Sequence, residues 1–168
     1  MAKWVLALAV LVGCSGSSSE GPRPLVSEMS AAVDAVEAQF GGAELEYFEV
    51  SADLDGVTVV LAEREVDSTG TTSGMFATPY RWEGGTLTRT SETMQAEGAT
   101  FLGSALNLDP STIFTGIESE LDDPSFIDLA VQGSESGIII DVTVENSKGG
   151  RLLVLVNPEG RVLGVQAS

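Results

Sequence analysis

The chain has 168 residues, 43% of them apolar, enough for the core of one ordinary domain or two small ones. Its 25 acids against 8 bases, a formal net charge of −17, argue against nucleic acid or anionic lipid headgroups as partners and suit solubility, a basic partner or life in high salt. With no histidine and a single cysteine, it cannot build a Ser-His-Asp or Cys-His arrangement, a histidine-based metal site or an intrachain disulfide.

Lys3 opens the chain with a positive charge, residues 4–12 form an apolar run, and Gly13 sets a small residue before Cys14. That run would be about 14 Å long as a helix, roughly half a bilayer core, so it is too short to span. Residues 14–25, rich in Ser, Gly and Pro, read as a flexible tether. A helical period follows in Met29, Val33, Val36 and Phe40, stopped by Gly41-Gly42. Phe48, Val50 and Ala52 alternate as a strand, Asp53 to Gly56 turns the chain, and Val57, Val59 and Leu61 alternate again. A third strand carries Phe76, Thr78, Tyr80 and Trp82 on one face. Glu83-Gly84-Gly85 then turns into a short fourth strand around Leu87.

The pattern then repeats. At an offset of 81 (114 − 33), Val33 becomes Phe114, Val36 becomes Ile117 and Phe40 becomes Leu121. Asp109-Pro110 supplies the N-cap and first-turn proline of this second helix, and Asp122-Asp123-Pro124 ends it. At the same offset Val50 meets Val131, Gly56 meets Gly137, Val57 meets Ile138 and Val59 meets Ile140, and Val36, Phe40, Ile117, Leu121, Ile138 and Ile140 are expected in the core. The offset drops to 75 (160 − 85) at Gly85 and Gly160, the difference falling in the polar loop 67–74. The fold predicted is α+β, with two tandem repeats. Each is one helix packed on its own antiparallel sheet of about four strands. The first repeat covers 26–90 and the second 109–168. The linker 91–108 is too apolar to be free and is expected to pack along the join.

Leu11-Val12-Gly13-Cys14 resembles the lipobox of bacterial lipoproteins. The resemblance implies that residues 1–13 are a signal peptide and that Cys14 is acylated. The chain would then be anchored by lipid to the cell membrane, facing outside or into the periplasm. Residues 113–165 resemble a PepSY-type module, with Leu152 to Val156, the turn Asn157 to Gly160, and Val162 to Val165 as the closing hairpin. The paired layout is similar to the tandem fold of the β-lactamase inhibitor protein family. Asn157 departs from the usual PepSY aspartate, and residue-level sites do not carry over. These resemblances imply binding, carrying or inhibition rather than catalysis.

Asp53 to Gly56 is no EF-hand: positions 1 and 12 of such a loop would be Ser51 and Ala62. Glu118 and Glu120 fall on the outer face of the second helix, so no catalytic carboxylate pair is expected. No metal and no cofactor is expected. Tyr80, Arg81 and Trp82, with the adaptable loop 67–74 before them, are the candidate binding residues, because that is where the two repeats differ. The reading is therefore a non-enzymatic interaction module of the envelope, its partner an envelope protein or a basic molecule. The alternative is a carrier of a lipid or another hydrophobic ligand, which needs an unfilled apolar interior.

Overall fold

The computed structural model describes residues 21–167 apart from 67 and 71. The lipobox-like segment and Cys14 lie outside the described residues. The elements in chain order are α1 (Met29–Gln39), β1 (Glu46–Ala52), β2 (Val57–Val66), β3 (Thr72–Glu83), β4 (Thr86–Arg89), β5 (Met94–Ala96) and β6 (Phe101–Leu102). They continue with α2 (Pro110–Glu120), β7 (Ser125–Ser134), β8 (Gly137–Glu145), β9 (Arg151–Val156) and β10 (Val162–Ala167). The architecture is α+β, with ten antiparallel strands and two α-helices among the described residues.

All ten strands belong to one sheet, ordered β10-β9-β8-β7-β1-β2-β3-β4, with β5 beside β3 and β6 beside β1. This departs from the expectation of a separate sheet under each helix. β1 and β7 pair with each other, Val50 opposite Val131 and Ser51 opposite Ala130. Each of these strands also pairs with its following hairpin partner, Val50 with Val59 and Val131 with Ile140. An exposed β1 or β7 edge would leave backbone donors and acceptors unpaired, and merging the edges removes both problems at once.

One face of this sheet carries Val50, Val59, Val131, Ile140, Val142 and Val154, all closed to solvent, and both helices pack on it. α1 contributes Met29, Ala32, Val33 and Val36, and α2 contributes Ile113, Phe114 and Ile117. Asp109 caps α2 as the sequence predicts, accepting from the Ser111 and Thr112 amides, with Pro110 in the first turn. α2 approaches the β9–β10 turn so closely that a Cβ on Gly116 would run into the Gly160 carbonyl, and one on Gly160 into the Thr112 carbonyl.

Three residues expected in the core are not fully inside. Phe40 follows the last helical residue with non-helical φ −103° and ψ 22°, so the helical period no longer carries it inward, and it is 42% exposed. Leu121 leaves α2 in the same way, with an extended backbone, and is half-buried. Ile138 sits one pair from the Ser134–Gly137 turn, at the end of the sheet, and is also half-buried. In β1 a bulge falls between Tyr47 and Glu49, so Phe48 drops out of the alternation and Tyr47 takes the core position, fully buried.

The linker is built into the sheet. It pairs with β3 as β5, passes Ala99 against Gly133 of β7, and pairs with Tyr47 of β1 through Phe101. A short 3-10 turn, Gly103–Leu106, then lies against Val33 of α1.

Ile117→Ala should cost about 2–5 kcal/mol in chemical denaturation, as a large-to-small change at a fully closed site. Gly116→Ala should be strongly destabilising, whereas Gly164→Ala, where an added Cβ meets nothing, should be nearly silent; comparing their denaturation midpoints tests the helix-on-turn contact.

Candidate functional site

The sequence-predicted residues Tyr80, Arg81 and Trp82 are consecutive on β3, so alternation sends them to different faces. Tyr80 is 7% exposed and part of the core. Trp82 packs partly buried against that core, and its indole N–H donates to Glu28 Oε2 at 3.0 Å. Arg81 lies on the opposite face with its donors committed. Nη1 and Nη2 donate to the two Asp53 carboxylate oxygens at 2.7 and 2.8 Å, and Nε to Glu83 at 2.8 Å. Asp53 also accepts from the Asp55 and Gly56 amides, so one carboxylate closes the β1–β2 turn and docks β3 onto it. The guanidinium draws the Asp53 carboxyl down to about 2.

The loop 67–74 does not join these residues. Val66 pairs with Thr72 at one end of the β2–β3 hairpin, and Val57 pairs with Trp82 at the other. Nine residue steps (66 − 57) separate the two ends, roughly 30 Å at the strand rise. A composite loop-and-aromatic surface therefore does not form.

The sheet face away from the helices offers a different site. One cross-strand row runs Arg81, Thr58, Ser51, Ala130, Asp141, Leu155 and Gly164. Its centre is small-residued, and past Asp141 it becomes apolar. Asp141, Leu153, Leu155, Gly164, Val165 and Gln166 line a groove of about 250 Å³. In the neighbouring row Glu49 stands opposite Gln132, which donates to it at 3.2 Å, and Gln132 faces Ile139, 37% exposed.

Asp141 is the chemically distinctive group. Partial burial, and then the like charge of Glu49, push its carboxyl above the ordinary value of 3.8. Among the described residues it makes no ion pair and no hydrogen bond, in contrast to Asp53 on the same sheet. An acidic group held at a cost beside leucines, in a groove, is matched by a cation presented on an apolar surface. Sequence reasoning missed this residue. The available signal was alternation in β8, which turns Asp141 outward between inward Ile140 and Val142.

Other clusters are accounted for by structure. Glu118 is engaged by Arg23 at 2.7 Å, and the Arg23 guanidinium lies 5.1 Å from the Phe114 ring centroid. Glu37 lies in an acidic groove of about 400 Å³ beside α1 and accepts from the Tyr47 hydroxyl. Burial foremost, then Glu37, push that phenol above its ordinary value. No group of three or more metal-ligating side chains forms among the described residues.

Two pH effects of opposite sign follow. Asp53 is depressed, so its contribution to stability is present above 3.8 and is lost as pH falls through about 2; Asp53→Asn should remove that part of the acid-unfolding profile. Asp141 is raised, so its ionised form opposes folding at neutral pH. Asp141→Asn should raise the melting temperature at pH 7, and the gain should vanish near pH 3, where both states are protonated.

No protein-family model and no curated protein matches the chain. Its fold is similar to the crystal structure of a candidate lipoprotein from Clostridium difficile 630, with a TM-score of 0.52 and 11% sequence identity over 90% of this chain and 97% of that one. At this identity the likeness is one of fold.

Proposed function

We propose that this chain is an exported, lipid-anchored interaction module of the cell envelope, without catalytic activity, that binds a basic protein partner on its open sheet face. The observation that carries the binding reading is Asp141, an uncompensated carboxylate in a groove walled by Leu153 and Leu155. Burial of that carboxylate against a partner's arginine or lysine would convert a destabilising group into a charge-assisted contact. The filled interior between sheet and helices favours a working surface over an enclosed ligand cavity.

Anchorage is supported by the resemblance of residues 11–14 to a lipobox and by the likeness in fold to a candidate lipoprotein. No helix among the described residues is long and apolar enough to cross a membrane, which is compatible with a lipid anchor. Eight residues, 15–22, separate Cys14 from Arg23, which is clamped at α2, so the folded body would stand within about 30 Å of the bilayer surface. A duplicated helix-plus-four-strand unit, related to PepSY-type modules, is the origin we favour. In support, the two hairpins pair at an offset of 81, and Val50 faces its own counterpart Val131.

Cys14→Ser should move the protein out of the membrane fraction or leave it unprocessed, and intact-mass measurement should find the wild type cut before Cys14 and acylated. A photo-crosslinking residue at Leu155 should give a discrete adduct with a basic envelope protein, and Asp141→Lys should abolish it. The same probe at Ser119, exposed on α2, should give none. Equal adducts from both positions would place the binding surface elsewhere.

A further inference from the structure

β10 is an outer strand of the sheet. Its registered neighbour is β9 on one side, and among the described residues no strand pairs with its other side. Such an edge is a template for another strand, and monomeric proteins blunt it with charge, proline, short length or cover. The opposite edge follows that rule: β4 is four residues long and ends in Arg89, whose side chain folds back onto Ser91 and Thr93.

β10 lacks those defences. Val162–Ala167 reads Val-Leu-Gly-Val-Gln-Ala, without a charge or a proline. A bulge at Leu163 interrupts only its start, and Gly164 to Ala167 run in regular register with Leu155 to Leu152. Leu163 and Val165 are 54% and 48% exposed, two large apolar side chains open to solvent on one six-residue strand.

We propose that β10 pairs antiparallel with β10 of a second copy of this chain, joining two sheets across a two-fold axis near Val165. Three observations select a second copy. First, a strand paired with its own copy closes both exposed edges with one symmetric contact and sets the Val165 side chains side by side. Second, charge permits it. The chain carries a net −17, yet Leu152 to Val156 and β10 hold no charged residue, so two acidic bodies meet along their neutral strip. Third, the chain already uses this joint internally, where β1 and β7 run edge to edge around Val50 and Val131. A contact of so few residues is small, so the dimer is reversible and concentration-dependent.

Sedimentation of the full chain over a thousandfold concentration range tests this. The expected result is a shift from monomer to dimer that Val165→Lys weakens at least tenfold, with an unchanged circular dichroism spectrum at concentrations where both proteins are monomeric. Amide exchange in β10 should slow on concentration in the wild type and not in the variant. A monomer throughout would overturn the proposal. So would association that is insensitive to Val165→Lys, which would assign the contact to another surface. Neither outcome depends on the partner of Asp141, and Asp141→Lys should leave the dimer intact.

Discussion

The pairing of β1 with β7 is the contact on which the rest of the molecule depends. It joins residues about eighty positions apart in the chain and turns two four-strand sets into one sheet. With a single sheet, both helices can seal the same face, and their apolar stripes form one continuous core from Met29 to Val156. Were the joint absent, each half would be a four-stranded sheet under one short helix, with two central strands exposed along their edges. The linker reinforces the joint, because β6 pairs with Tyr47 and Ala99 lies on Gly133.

The same joint leaves the other face open. Two carboxylates on that face illustrate how environment sets the role of a residue type. Asp53 receives two turn amides and both terminal nitrogens of Arg81, and it works as a structural pin. Asp141 has leucines, a like-charged neighbour and no cation among the described residues, so it weakens the fold at neutral pH. On the function proposed above, a partner's cation completes this surface. Two carboxylates on the helix side are matched instead: Glu118 by Arg23, and Glu37 by the Tyr47 hydroxyl and the Leu45 amide.

Much of the fold was legible in the residues. The spacing of Met29, Val33 and Val36, and of Ile113 and Ile117, placed both helices and their inward faces. The Asp53–Gly56 turn and the offset between Val50–Val59 and Val131–Ile140 follow from local alternation and turn chemistry. Errors arose where the backbone departed from its period by one residue. Phe40 lies just past a helix end, and Phe48 lies in a bulge that hands its core position to Tyr47. Neither a bulge nor a fraying cap leaves a signature in apolar spacing, since both are resolved by packing.

The candidate site was less legible. Tyr80, Arg81 and Trp82 stood out as an aromatic and charged cluster, yet alternation divides them between a filled core and an ion pair. Asp141 drew no notice because its environment comes from Ala130, Leu155 and Glu49, which belong to three other strands. By itself, the sequence determined what depends on neighbours a few residues apart: the helices, the hairpins, the acidic balance and the lipobox resemblance of residues 11–14. Only the tertiary structure decided which edges merge, which face stays open and which carboxylate lacks a partner. Those outcomes rest on contacts between residues far apart in the chain, and local periodicity carries no information about which distant strand will be the neighbour.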